Sequence, residues 1–172
     1  MEEAAIQIES LLVLVDESPG TKRTVDYVAK VIGRRRGFHV HLLYLLPPLP
    51  PELLEFGGAE IPRKEKELVV ELRRGQQAWI ASAKGSAKPA LDDASTVLRQ
   101  AGLSSSEIDL ECSDPMDIRD AAVTVLGQAR AKQCDTIVIG GESHSWFRES
   151  AGSHLTEHLL RHASNIAIWV VQ

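Results

Sequence analysis

The sequence predicts a doubly wound α/β fold, in which helices cover both faces of a five-stranded parallel sheet. Short apolar runs alternate along the chain with segments whose apolar residues recur at helical spacing. Several of these runs are apolar at nearly every position, which is typical of strands buried on both faces of a parallel sheet. Strands that alternate with helices need crossover connections, and such connections build a sheet of this kind.

The first part of the chain predicts a strand, a helix and a second strand. The apolar run LLVLV (residues 11–15) ends in Asp16, and the helical pattern after it has Thr21 as its predicted N-cap. That helix is expected to end before Gly37, which follows three arginines that suit the negative end of a helix. Residues 39–46 predict the second strand, which the prolines of PPLPP end because they cannot continue a ladder.

The segment from residue 61 to residue 102 is helical in pattern. Pro62 suits a first helical turn, whereas KGSAKP (residues 84–89) combines glycine with proline and is expected to break the helix. Two helical pieces and one kinked helix both remain open.

The second half of the chain repeats the alternation. Three further strands are predicted, over residues 107–112, 135–141 and 166–171. Asp114 is expected to cap the helix after the third strand, with Pro115 at its first position. The last helix, over residues 153–164, is expected to turn four apolar side chains inward: Leu155, Leu159, Leu160 and Ala163.

Composition narrows the classes of function. The chain has 172 residues, enough for a single domain with its own core, and its net charge of −5 gives no field that would attract nucleic acid. The N-terminus lacks the features of a secretion signal, and no apolar run approaches the roughly 20 residues that span a bilayer. We therefore expect a cytoplasmic protein without nucleic-acid or membrane partners. Cys112 and Cys134 are expected to be buried thiols.

A glycine-containing loop follows the fourth strand, at the sheet edge where doubly wound folds bind ligands. Gly140 and Gly141 would let the backbone approach closely and adopt positive φ, and Gly152 with Ser153 would offer amides and a hydroxyl at a helix start. These features predict an anion site. A glycine turn followed by an ordinary serine cap is the alternative.

Other side chains give weaker signals. His154, His158 and His162 lie along one stripe of the last helix, and a solvated stripe is favoured over a zinc site because no carboxylate or cysteine is fixed nearby by spacing. Trp146 and Phe147 either cover a ligand or, as we favour, pack the loop against the sheet. His144 and Arg148 are either phosphate partners or, the favoured interpretation, exposed loop residues: neither has a partner fixed by the sequence. No motif of an efficient catalyst occurs in the chain.

Three segments together resemble the universal stress protein family. LLVLVDESPGTKRTVDYVAKV is similar to the opening strand, D-x-S turn and helix of its members. DPMDIRDAAVTVLGQARAKQCDTIVIGG is similar to their fourth crossover, and AGSHLTEHLLRHASNIAIWVV to their closing helix and strand. The resemblance covers nearly the whole chain and is poorest between residues 47 and 101.

The resemblance implies the sheet order 3-2-1-4-5 of the adenine nucleotide alpha hydrolase-like class and a homodimer through the last strand, residues 166–171. It also implies ATP binding at a phosphate motif that reads G-x-x-G, followed by nine residues and then G-[S/T]. Gly140 matches the first glycine and Gly152 with Ser153 the final pair, while Ser143 replaces the second glycine and the spacer is one residue shorter. The residues implied to contact nucleotide are Asp16, Ser18, Leu45, Gly140, Gly141, Ser143, Gly152, Ser153 and His154.

The function expected on these grounds is that of a dimeric module in stress response, which binds ATP or AMP, with Mg²⁺ accompanying the nucleotide, as a regulatory ligand. One alternative is a nucleotide-free dimeric scaffold on the same fold. A second is slow ATP hydrolysis, for which Glu142, Glu149 and His144 are the available acids and bases. Asp16 and Ser18 also have a purely structural interpretation, as partners in a turn.

Overall fold

The computed structural model of the protein describes residues 9–54, 62–141 and 154–172. The strands are β1 Glu9–Val15, β2 Phe38–Tyr44, β3 Ile108–Cys112, β4 Thr136–Gly140 and β5 Ala167–Val171. The helices of the described residues are α1 Pro19–Ile32, α2 Pro62–Gln100, α3 Ala121–Ala131 and α4 His154–His162. Within these ranges, no helix is both long enough and apolar enough to cross a bilayer.

The strands form one parallel sheet in the order β3-β2-β1-β4-β5, which confirms the expected fold class and order. Val15 at the end of β1 pairs in register with Tyr44 at the end of β2. The chain therefore leaves both strands at the same edge, and the β1–α1 turn lies beside the end of β2.

Two hydrophobic clusters cover the two faces of the sheet. Val13 of β1 faces one cluster, to which α1 and α2 contribute, while its neighbours Leu12 and Leu14 face the other, to which α3 and α4 contribute. All three side chains are almost fully buried. This alternation is the physical reason that LLVLV has no polar position, because both faces of its strand lie against helices.

Two predicted helix starts were wrong. Helix α1 begins at Pro19 after the N-cap Ser18, so Thr21 lies in the first turn rather than at the cap. The helix expected at Asp114 and Pro115 begins instead at Ala121, after a 3₁₀ turn over Ile118–Asp120. Helix α1 thus begins at a nearer local signal, Pro19, whereas Pro115 precedes the start of α3 by several residues.

Helix α2 is continuous over 39 residues and contains Pro89, so the expected break at residues 84–89 was wrong. An internal proline removes one helix hydrogen bond and costs about 3 kcal/mol. The cost is offset because this half of α2 packs against the sheet through four buried side chains: Ala87, Leu91, Ala94 and Leu98. Their spacing keeps one face of the helix on the core on both sides of the proline.

Two burial predictions also need correction. Leu160 of α4 is 60% exposed, while Leu159 is fully buried and Leu155 and Ala163 are partly buried. Cys134 is a buried free thiol as expected, but Cys112 is only partly buried because it lies on the edge strand β3.

Candidate functional site

The carboxyl end of β1 carries a buried carboxylate, Asp16, which is only 4% exposed. Its Oδ1 accepts hydrogen bonds from the backbone amide of Ser18 at 2.9 Å, from the Ser18 hydroxyl at 2.5 Å and from the Thr21 hydroxyl. The Thr21 hydroxyl also accepts a 2.9 Å bond from the Asp16 amide. The D-x-S sequence therefore forms an Asx turn that holds the carboxylate at the start of α1.

A second acid–hydroxyl pair lies beside Asp16. The Tyr44 hydroxyl at the end of β2 donates a hydrogen bond to Oε1 of Glu17. Burial, together with the Glu17 carboxylate, raises the pKa of the Tyr44 hydroxyl far above its usual value, so it remains a donor at any physiological pH. This bond ties the β1–α1 turn to the neighbouring strand and positions Glu17 at the sheet edge.

A cleft of about 680 Å³ opens between this turn and helix α2, and Asp16 and Ser18 line it. Its volume lies within the range of small-molecule sites. The polar part of its wall includes Glu17, Lys22, Asp93 and Gln100, and the apolar part includes Val25, Ala90, Ala94 and Val97. The cleft thus combines an apolar wall with a few charged groups, which is the composition of a typical ligand site.

Gly140 and Gly141 lie at the same edge but have packing roles. A Cβ on Gly140 would approach the Thr24 hydroxyl to 2.9 Å, so the glycine lets α1 pack closely on β4. The Gly141 amide donates a 2.7 Å hydrogen bond to the Val171 carbonyl and so extends the β4–β5 pairing. The close approach at Gly140 is to α1 rather than to an anion, and the expected positive φ was wrong for both residues.

The other residues implied to bind nucleotide are distributed as follows. Leu45 is fully buried in the cluster beneath α3 and α4, so only its backbone is available to a ligand. Ser143, Gly152 and Ser153 lie outside the described residues, as does the side chain of His154, the first residue of α4. Loop residues Glu142, His144, Trp146, Phe147, Arg148 and Glu149 also lie outside them.

Sequence reasoning missed the contribution of α2 to the cleft. Asp93, Val97 and Gln100 line the cleft from the part of α2 that follows Pro89. It also missed a cluster of His39, His41 and Asp109 at the other end of the strands, for which the only local signal is the spacing H-x-H within a strand. Asp109 follows in the chain after 67 intervening residues, so the sequence does not indicate their contact.

Comparisons with known structures agree with this architecture. A universal stress protein from Archaeoglobus fulgidus matches at 17% identity with a TM-score of 0.54, over 96% of this chain and 95% of that one. A universal stress protein from Archaeoglobus fulgidus in complex with dAMP matches at 17% identity with a TM-score of 0.51, over 97% of this chain and 99% of that one. A universal stress protein in complex with cAMP matches at 15% identity with a TM-score of 0.58, over 95% and 97%.

The likeness to these structures concerns the fold, since the identities are low. A search of curated proteins found no match to the chain. The sequence profile of the Universal stress protein family, in contrast, matches residues 7–172, which include every strand of the sheet and both of its helical layers. The chain therefore belongs to the universal stress protein family.

Proposed function

We propose that this protein binds an adenine nucleotide, ATP or AMP, in the cleft beside Asp16 and responds to it as a regulatory module. The observation that carries the proposal is the cleft itself, which opens at the carboxyl edge of β1 and has the buried Asp16 carboxylate in its wall. Similar folds bound to cAMP and dAMP support an adenine nucleotide as the ligand class.

The wall of the cleft has groups that suit each part of a nucleotide. Val25, Ala94 and Val97 offer an apolar surface on which a base would pack. Ribose hydroxyls need acceptors, and Asp16 and Asp93 supply carboxylate oxygens for them.

The phosphates are expected at the beginning of α1 and in the glycine loop. The free backbone amides at the N-terminus of a helix favour an anion. Lys22, in the first turn of α1, adds a positive charge to the cleft wall. By the family motif, Gly140, Gly152 and Ser153 complete the phosphate site, with Mg²⁺ accompanying ATP.

The test is thermal denaturation of the full chain with ATP and Mg²⁺, with AMP, and with GTP as the comparison. A ligand at 100 times its Kd stabilises a protein by about 2.7 kcal/mol. For a chain of this size that corresponds to roughly 5–10 °C. ATP or AMP should raise the melting temperature, and no shift at millimolar concentration of either would contradict the proposal.

Variants locate the site. Lys22→Ala should reduce the shift with ATP more than the shift with AMP, because it removes a positive charge near the phosphates. Lys30→Ala is the matched control, since Lys30 is equally exposed but lies in the last turn of the same helix. Gly152→Asp should abolish the shift with ATP; if the shift persists, the phosphates are not bound by the family motif.

We also propose that the protein is a homodimer through β5. This strand is an edge of the sheet, Val170 on it is 39% exposed, and Trp169 makes an edge-to-face contact with Tyr27 of α1. An exposed edge strand with apolar side chains is a ready site for pairing. Val170→Lys should shift the mass measured by light scattering from dimer to monomer, whereas Val123→Lys, at a 72% exposed position on α3, should not.

A nucleotide-free dimeric scaffold is the second candidate function. It is favoured by the Gly141 amide, which is already bonded to Val171 and so is not available to an anion. On this alternative, dimer formation is retained while every nucleotide leaves the melting temperature unchanged. Phosphate release from ATP, measured on the same sample, would instead indicate the slow hydrolase.

A further inference from the structure

The amino-terminal end of β2 carries two histidines on one face of the strand. His39 and His41 are two residues apart, so their side chains point to the same side, and their ring centroids are 4.6 Å apart. Asp109 of the edge strand β3 pairs in register with His41. Its Oδ2 lies 2.9 Å from Nε2 of His39 and 3.0 Å from Nδ1 of His41. One carboxylate oxygen therefore faces both imidazoles.

One atom of this cluster is buried without a hydrogen-bond partner. The His41 side chain is only 10% exposed, and its Nδ1 makes no hydrogen bond although Asp109 Oδ2 is 3.0 Å away, because the two groups are not aligned for one. Buried polar atoms nearly always have a hydrogen-bond partner, so the unpaired Nδ1 of His41 beside a carboxylate indicates that a further group binds there. The His39 bond to Asp109 does not supply this partner.

We propose that His39, His41 and Asp109 bind a zinc ion. One nitrogen of each imidazole and one carboxylate oxygen all lie within 4.8 Å of one another. Zinc bonds to imidazole nitrogen and carboxylate oxygen at about 2.0–2.2 Å, so neighbouring ligands of a tetrahedral ion are roughly 3.3 Å apart. The two nitrogen–oxygen distances need to widen by only a few tenths of an ångström. Three protein ligands leave the fourth position to water.

The donor set selects the metal. Two imidazoles with one carboxylate suit zinc and its neighbours among the transition metals, whereas magnesium and calcium prefer oxygen ligands alone.

The groups around the two imidazoles do not oppose a cation strongly. Burial, and then the charge of His39, lowers the pKa of His41, while Asp109 and Glu111 act the other way and Lys132 adds to the lowering. A lowered pKa favours the neutral imidazole, which is the form that binds metals. Lys132 is paired with Glu111 at 2.7 Å, so its charge is largely balanced next to the site.

This site is separate from the nucleotide cleft. His39 and His41 lie near the start of β2, whereas Tyr44, at its end, lies beside Glu17 and the cleft. The zinc site therefore does not depend on the proposed nucleotide function.

Isothermal titration calorimetry tests the proposal. The full chain, which carries no affinity tag and has been stripped of metal by a chelator, is titrated with ZnCl₂ and, as the comparison, with MgCl₂. We expect one zinc per chain and no heat from magnesium. His39→Ala, His41→Ala and Asp109→Asn should each weaken zinc binding at least about 100-fold, since even the residues that only support metal ligands account for 10–100-fold. X-ray absorption of the zinc complex should show nitrogen and oxygen ligands with two imidazoles.

The matched control is His158→Ala, because His158 and His162 form an exposed histidine pair on α4, with ring centroids 5.9 Å apart. This variant should keep full zinc affinity. Loss of binding in His158→Ala with retention in Asp109→Asn would overturn the proposal, as would no binding to the unaltered chain. Asp109→Asn is nearly isosteric and Asp109 is 52% exposed, so this variant remains informative if His41→Ala does not fold.

Discussion

A Cβ atom on residue 140 would lie 2.9 Å from the Thr24 hydroxyl oxygen, and Gly140 is therefore the residue that lets α1 approach β4. The Gly20 carbonyl, which accepts a 2.8 Å hydrogen bond from the same hydroxyl, lies 3.4 Å from that Cβ position. The glycine that the family motif assigns to phosphate binding thus also has a purely structural role. That role can be tested without any ligand.

Gly140→Ala should destabilise the fold by about 1–3 kcal/mol, the usual cost of overpacking a tight contact. Gly127→Ala is the control, because a Cβ there meets nothing within 4 Å and position 127 is inside α3. The control should stabilise the protein by about 0.5–1 kcal/mol. Urea denaturation measures both, and equal effects of the two variants would contradict the packing role of Gly140.

Thr21→Val should destabilise the protein by about 1–3 kcal/mol, because it leaves the buried Asp16 without the hydroxyl that both donates to its carboxylate and accepts from its amide. The comparison is Thr96→Val. Thr96 is exposed, and its hydroxyl donates to the Asp92 carbonyl and accepts from Arg99, both within α2, so this change should stay within about 0.5 kcal/mol. Chemical denaturation should separate the two variants clearly; a neutral Thr21→Val would show that the Asx turn does not need this hydroxyl.

Pro89→Ala should stabilise the protein by about 1–3 kcal/mol, because alanine restores the helix hydrogen bond and relieves the clash that an internal proline causes. The gain is reduced by the greater freedom of the unfolded chain. Thermal melting measures it. Ala90→Pro, one position later in the same continuous helix, should be strongly destabilising, and a stable Ala90→Pro would mean that α2 tolerates a break here.

Cys134 should resist alkylation in the native state at pH 8. Burial raises the pKa of its thiol to about 11, so little of the reactive thiolate forms at pH 8. The residue is also only 5% exposed, so the reagent cannot easily reach the sulfur. Cys112, on the partly exposed edge of the sheet, should be labelled first, and Cys134 only after unfolding. Mass spectrometry of chain treated with iodoacetamide distinguishes the two; prompt native labelling of Cys134 would contradict its burial.

The same thiol gives a stability effect with a definite sign. Its folded pKa of about 11 exceeds the ordinary thiol value of 9.0, so the folded state keeps its proton to higher pH than the unfolded chain does. The contribution to stability is therefore complete below pH 9 and is lost as pH rises toward 11. Cys134→Ala should flatten this part of the dependence of the unfolding free energy on pH.

Much of the fold could be predicted because its signals are local. Four apolar runs and one alternating segment, residues 107–112, predicted five strands, and each strand lies within a residue or two of the expected range. The site was predicted only in part. Asp16 and Ser18 meet at the cleft, but Asp93 and Gln100 were missed because they lie on α2, distant from Asp16 in the chain.

Local patterns failed where burial outweighs propensity. Pro89 predicted a break, yet α2 continues because Leu91 and Leu98 remain on the core on the far side of the proline. Thr21 predicted a cap, yet its hydroxyl bonds to Asp16 from inside the helix. In both cases a contact with another element outweighs the preference of the residue itself.

The sequence by itself determined the class of this fold, the number of its strands and its family, because alternating buried runs and the ordered glycine and acidic motifs are properties of short segments. Only the tertiary structure decided that α2 would form one wall of the cleft beside Asp16 and that Asp109 would face His39 and His41. The physical reason is that strand register and helix packing join residues far apart in the chain, and these contacts depend on the whole buried core rather than on any one segment.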